Sequence, residues 1–433
     1  MSKKIMIISE LFFPKNSVGS VRPTKLAKYL NLNGYDVTVF TSNECLSGKS
    51  EASNSPYMVI YAEVVKTHNE KLVYVQQTEN NAIKENPKNS RFYAFLQSLK
   101  RTKRQYLAYR QGRNFYRTFC NYVDDGRLKL EDFDFVFSTF GPIGSLLAGM
   151  EAKKRKPSVV WINDFRDPMV SKIMPKLFDP YYMYLQKKSM AVADHVVTVS
   201  EGYRSRMLTK ESANKFEVIP NGFDSDDLPE ANPNTTINSL FDMTYVGALY
   251  EGKRDLSPLF KALKQLSDEE ILPKEKMIFN YAGKDIKYLT AQAKQYGMEG
   301  IVKGHGFLSR VDCLNLQHNS RFLVLSTWNE KGEEGVFPGK FIEYMLMNKP
   351  IISVVDGNLA GSEVTSTIHK FSLGVSYESA DKNTEHELYE WLKEQAVQFN
   401  NGKPAIFDPD SEGIEQRYNW KNIVKRFCEL IDG

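Results

Sequence analysis

Two segments of the sequence gather residue types suited to holding a diphosphate beside a polyol. VGALYEGKRDL carries Gly247, Lys253 and Arg254, and WNEKGEEGVFPGKFIEYM carries Glu333, Glu334, Phe337, Pro338, Gly339, Lys340 and Glu343. The cations suit the phosphates and the carboxylates suit sugar hydroxyls. A lysine beside a leaving phosphate stabilises the charge that develops as a glycosidic bond breaks, so no nucleophile is required. A third segment, DFRDPM, brings Asp164, Arg166 and Asp167 together after an apolar run. It reads either as an ion pair that fixes a loop or as a site for an acceptor hydroxyl. A fourth, ELFFPKNSVGSVRPTKLAKYL, places Gly19 before a helix expected to start near Arg22, with Pro23 in its first turn. Such a glycine lets backbone amides approach an anion. The loop is not a GxGxxG fingerprint, which argues against nicotinamide chemistry.

These segments follow strand-like runs. KIMIISE, a helix over 22–33 and DVTVFTS give a βαβ rhythm, and FDFVFST, SVVWIND, HVVTVS and KFEVIPNG extend it. After Asn221 the chain turns to DSDDLPEANPNTT, which is linker chemistry. The rhythm restarts with FDMTYVGAL, MIFNYAG, IVKGHG, FLVLST and PIISVV, with helices expected near 258–266, 288–296 and 339–347. The expected fold is α/β: two doubly wound, Rossmann-like domains facing across a cleft. One spans 1–222 and the other 240–408, and a helix over 412–433 returns to the first. Ligands in such sheets bind beyond the carboxyl ends of the strands.

Composition narrows the function classes. At 433 residues two cores are expected, and the net charge of +4 does not by itself imply nucleic-acid binding. Cys45, Cys120, Cys313 and Cys428 are scattered without CxxC pairing, which points to a reducing compartment and no zinc site. Glu10 interrupts the N-terminal apolar run before it resembles a signal peptide, and no run is long enough to span a bilayer. Asp224 with Asp226 spells DxD, but in turn chemistry, so no metal is expected. Between Arg91 and Val123 eight Arg and Lys residues, Arg101, Arg104, Arg110 and Arg113 among them, occur without any Asp or Glu. Phe92, Phe95, Leu96, Leu99, Tyr106, Tyr109 and Tyr116 recur there at helical spacing. The segment reads as a helix lying on anionic lipid, or as one whose aromatic stripe packs on its own domain.

The ordered set DFRDP, ADHVVTVSEG, VIPNGFD, YVGALYEGK, YAGKD, GHGFLSR and GKFIEYMLMNKPII resembles the retaining glycosyltransferases of the GT-B fold, family four, over nearly the whole chain. The resemblance implies sugar transfer with retention from a nucleotide-sugar donor, with UDP as the expected nucleotide and no other cofactor. Gly19, Gly247 and Lys253 would lie at the diphosphate, Glu343 at the ribose, Phe337, Pro338 and Gly339 along the sugar and phosphate, and Gly306 and Phe307 at the base. Asp164 would face the acceptor. Two departures stand out. Ala248 replaces the Arg that often follows the YVG glycine, shifting neutralisation to Arg254 or Lys340. Gly335 occupies the position of the first glutamate, leaving Glu334 as its nearest substitute. The resemblance further implies a polyprenyl-diphosphate-linked glycan acceptor and a place in capsule, O-antigen or other bacterial surface-polysaccharide assembly. The protein would then be cytoplasmic, peripheral on the inner face of the cell membrane. A nucleotide-sugar 2-epimerase and a non-catalytic scaffold are the alternatives on the same fold.

Overall fold

A computed structural model describes residues 2–15, 17–46, 55–64, 90–171, 176–228 and 239–433. Part of the expected linker, 229–238, lies outside them, as do the side chains of Arg91, Phe92, Phe95 and Leu96. The chain divides into two units, Met1–Pro220 with Ile423–Gly433, and Asn221–Asn422.

The first unit is a seven-stranded parallel sheet ordered β3-β2-β1-β4-β5-β6-β7. Its strands are β1 (Lys4–Ile8), β2 (Asp36–Ser42), β3 (Met58–Ala62), β4 (Phe135–Phe140), β5 (Val160–Phe165), β6 (His195–Thr198) and β7 (Phe216–Val218). The central β1 buries Ile5, Met6, Ile7 and Ile8, the continuous apolar run of a strand covered on both faces. Helices α1 (Val18–Leu32), α2 (Ser90–Asp124), α3 (Ile143–Arg155), α4 (Asp179–Val192) and α5 (Glu201–Met207) connect the strands.

The second unit is a six-stranded parallel sheet ordered β10-β9-β8-β11-β12-β13. It comprises β8 (Phe241–Val246), β9 (Met277–Ala282), β10 (Val302–Gly306), β11 (Phe322–Asn329), β12 (Ile351–Gly357) and β13 (Gly374–Glu378). Its helices are α6 (Ser257–Asp268), α7 (Ile286–Lys294), α8 (Arg310–His318), α9 (Gly339–Met347), α10 (Glu363–Lys370), α11 (Asn383–Asn400) and α12 (Ser411–Tyr418). Each unit is thus a Rossmann-like doubly wound fold.

The closing helix expected over 412–433 is two helices, α12 and α13 (Trp420–Asp432), separated at Asn419. Only the part from Ile423 joins the first unit. There α13 buries Ile423, Val424, Phe427 and Ile431 on one stripe, with Phe427 edge-on to Phe137 of β4 at 5.8 Å.

The basic helix α2 forms, and its stripe divides. Tyr109 and Tyr116 pack against the core of their own unit, beside Phe115 and Phe119, which lie outside the expected stripe and are buried edge-on to Phe40 of β2. Leu99 and Tyr106 are 49% and 47% exposed. The end toward Tyr122 therefore packs on its own domain, while Leu99 and Tyr106 do not.

Candidate functional site

In a doubly wound sheet the crevice opens where successive connections run to opposite sides. In the second unit this is between β8 and β11, and in the first between β1 and β4.

The loop after β8 is held rigidly. Gly247 has φ +145°, open to glycine and strained for other residues. Tyr245 and Tyr281, from neighbouring strands, stack at 5.9 Å. Their hydroxyls donate to the carbonyls of Ala248 and Gly247, each at 2.9 Å. The Leu249 amide donates to Asp285 at 2.7 Å. Arg254 belongs to this bracing: its Nη1 donates to Tyr245 Oη and to Ala248 O, both at 3.0 Å. In this structure Arg254 thus braces the loop through Nη1. Lys253, one residue earlier, is exposed, its ammonium 3.7 Å from Glu330 and 4.3 Å from the Trp328 ring centroid. Trp328 and Glu330 stand where β11 ends, so Lys253 and Glu330 meet at the switch point.

Beyond Glu330 the chain turns tightly. Glu334 accepts from the Gly332 amide at 2.8 Å, a contact within its own turn. Glu333 is the enclosed carboxylate of the pair, 3% exposed, and its amide donates to Glu330 O. Phe337 stacks on Tyr418 at 6.0 Å and packs on Phe341, which turns its side chain inward. Pro338 caps α9, so Gly339 and Lys340 form its first turn, where amide groups have no partner within the helix.

Glu343, one turn on, accepts from Lys340 at 2.8 Å, Gln317 at 2.7 Å and Arg310 at 3.1 Å. Burial pushes its carboxyl up, but Lys340, Gln317 and Arg310 more than offset this and hold it below the usual range. At the end of β10, Gly306 has φ +68° and Phe307 is 89% exposed, a bare ring on the sheet's carboxyl edge. Asp356, ending β12, accepts from the Asp255 amide at 2.8 Å, and burial pushes it up to about 7. Sequence reasoning missed Trp328, Glu330 and Asp356. Their signal was the carboxyl end of each strand, available once the strand order is known.

In the first unit α1 begins at Val18, four residues before the expected start, so Gly19 is helical and Pro23 lies beyond the first turn. Proline has no N–H to offer the carbonyl four residues back, here that of Gly19. Arg166 fills the gap: its Nη1 donates to Gly19 O at 2.7 Å, and its Nη2 donates to Gly141 O. A Cβ on Gly19 would meet Leu11 at 2.5 Å and Arg166 at 3.1 Å. Gly19 thus leaves room for Leu11 and the arginine, while its amide lies in the first turn of α1.

Asp164 does not pair with Arg166. It is fully enclosed and takes Arg22 on both oxygens, at 2.8 to 3.1 Å. Arg22 also donates to the carbonyls of Ile219 and Pro220 and lies over the Phe427 ring. In this structure Asp164 is therefore an internal anchor tying α1 to β5 and the chain after β7, closer to the ion-pair reading of its segment than to the acceptor reading, with Arg22 rather than Arg166 as its partner.

Glu10, just past β1, is 3% exposed. It accepts from the Gly144 amide at 2.7 Å and its own amide donates to Ser145 Oγ, so it caps α3, which begins after Pro142. Burial pushes its carboxyl up to about 8. On α2, Arg101 and Arg104 are exposed, and Arg110 and Arg113 lie over the rings of Tyr106 and Tyr116. Among the described residues no three His, Cys, Asp or Glu side chains are grouped to hold a metal ion. Asp224 accepts from the Asp226 amide in a local turn.

Residues 21–227 match the family model described as Glycosyltransferase Family 4. No curated protein matches the sequence. The fold is similar to that of sucrose-phosphate synthase from Thermosynechococcus elongatus, at 15% identity and TM-score 0.61 over 99% of this chain and 98% of that one. It is also similar to WaaG, a glycosyltransferase involved in lipopolysaccharide biosynthesis, at 12% identity and TM-score 0.50 over 99% and 100%. A third similar structure, described as a UDP-N-acetylglucosamine 2-epimerase from Listeria monocytogenes, has 12% identity and TM-score 0.53 over 100% and 96%. These likenesses establish a shared fold.

Proposed function

We propose that this chain, whose residues 21–227 match Glycosyltransferase Family 4, transfers a sugar from a nucleotide-sugar donor to an acceptor hydroxyl with retention and without a metal. The observation that carries the reading is Lys253: an exposed cation at the switch point of the second sheet, on a loop pinned by Tyr245, Tyr281, Arg254 and Asp285. A rigid cation beside a leaving diphosphate stabilises charge that appears only as the bond breaks, which is the interaction that raises a rate. Lys340 and the first turn of α9 supply further positive potential on the same edge.

In the reaction the bond between the anomeric carbon and the diphosphate oxygen breaks, and the acceptor oxygen bonds to that carbon from the same face. The acceptor proton passes to the departing phosphate. Glu343, ionised and fixed by three donors, receives the donor ribose, and the exposed Phe307 ring receives the base. UDP is the expected nucleotide. The acceptor we propose is a polyprenyl-diphosphate-linked glycan of a bacterial surface polysaccharide, met at the inner face of the cell membrane. The positive side chains of α2 support that choice.

The test is calorimetric titration with UDP, GDP and ADP beside Lys253→Ala and Glu343→Ala. One nucleotide should bind, and each substitution should weaken it about tenfold, roughly 1.4 kcal/mol. Failure of all three to bind removes the donor site. Turnover of a UDP-sugar at C2 without an acceptor replaces transfer with epimerisation.

A further inference from the structure

The surface that continues α2 is on α4, a helix the sequence did not single out. Helix α4 buries Tyr182, Leu185, Ser189 and Met190 on the sheet side. Its opposite face is not the polar face of an ordinary surface helix. Tyr181, Met183 and Tyr184 are 37%, 47% and 57% exposed, and Leu177, just before the helix, is 73% exposed. Leu177, Tyr181, Tyr184 and Lys188 follow at intervals of four, three and four, so they form one stripe.

The two helices are joined at this face. Tyr109 and Tyr181 exchange a hydroxyl hydrogen bond at 3.3 Å and pack edge to face at 5.7 Å. Burial pushes the Tyr181 hydroxyl up to about 12, and the charge of Arg113 opposes it. On α2 the stripe Leu99, Tyr106, Arg113 leads to this junction, at seven-residue steps.

Charge selects the occupant. Lys176, Lys187 and Lys188 are exposed, Lys188 lying 5.5 Å over the Tyr184 ring. Asp179 is the one acid between 176 and 192, and none falls between 99 and 123. Aromatic rings with cations above them, on two joined helices with almost no acid, match the interface of an anionic bilayer, where rings sit at headgroup level and Lys and Arg meet phosphates.

We propose that α4 and the outer stripe of α2 form one docking face for an anionic lipid bilayer. Leu177, Tyr181, Met183 and Tyr184 enter the headgroup boundary while Arg101, Arg104, Lys187 and Lys188 lie over lipid phosphates. This deepens the reading of a membrane-held acceptor, and it is measured separately from donor binding.

The experiment is co-sedimentation of the full chain with vesicles of phosphatidylcholine alone or mixed with phosphatidylglycerol, for wild type, Leu177→Ser/Met183→Ser/Tyr184→Ser and Arg101→Glu/Arg104→Glu. All are checked for unchanged thermal unfolding and nucleotide binding. Wild type should prefer the anionic vesicles by at least about tenfold and lose that preference at high salt, and each variant should lose about tenfold or more. Equal sedimentation of the α4 variant and wild type removes α4 from the face. Absence of vesicle binding by wild type overturns the proposal while leaving a positive nucleotide titration intact. A concentration-dependent dimer that the α4 variant abolishes assigns the face to a second copy of the chain instead.

Discussion

Arg22→Met isolates the role assigned to Asp164. Both partners are enclosed, at 2% and 0% exposure, and the guanidinium supplies the carboxylate, Ile219 O and Pro220 O at once. Removing it leaves an uncompensated buried charge, which costs about 3–5 kcal/mol. For a unit of this size that lowers its melting temperature by about 2–4 °C per kcal/mol, hence by roughly 6–20 °C. Differential scanning calorimetry should show the transition of the first unit falling while that of Asn221–Asn422 stays in place. Hydrogen exchange identifies which unit moved. Arg22→Met/Asp164→Leu should regain most of the loss, because the stranded charge is gone. A loss below about 1 kcal/mol in Arg22→Met would refute the anchor. So would an Asp164→Asn variant of unchanged stability and abolished transfer, which would return Asp164 to the chemistry.

Glu10 is neutral in the fold up to about pH 8 and ionises near 4.5 when unfolded, so the native state holds the extra proton between those values. Stability should fall as pH rises from 4.5 to 8, by up to about 1.4 kcal/mol per unit, and Glu10→Gln should flatten that slope in urea titrations at several pH values. Arg166→Met should destabilise by about 1–3 kcal/mol by stranding the Gly19 carbonyl. Adding Pro23→Ala, which supplies an amide to that carbonyl, should recover part of it. Phe307→Ala should leave unfolding within about 0.5 kcal/mol of wild type, since its ring is already in solvent, yet weaken nucleotide binding several-fold.

The sequence made the repeating elements and the strand-end loops legible, because buried parallel strands write themselves as apolar runs and α9 is bounded by Pro338 and Asn348. What it hid were partners remote in the chain. Pro23 looked like a first-turn residue because nothing local showed that Arg166 would supply the missing donor. Asp164 looked available beside Arg166, whereas its partner Arg22 lies 142 residues away. Lys253 and Arg254 are adjacent and chemically alike, and only the two tyrosines beneath the loop decide that one points out and the other in. Glu330 and Asp356 became visible through strand order, and the outward face of α4 through what its other face buries.

Helix α13 also bears on how the chain is shared between the two units. The pairing of Phe223 with Asn419, and the bonds of Phe223 with Tyr418 and Trp420, stitch the two ends of the second unit together within itself. That unit therefore closes on residues of its own, Asn221–Asn422. The first unit instead takes Ile423–Gly433, which follow the whole second unit in the chain, to cover Phe137 and Arg22. Deleting Ile423–Gly433 would therefore loosen the first unit more than the second, although the deleted residues directly follow the second in the chain.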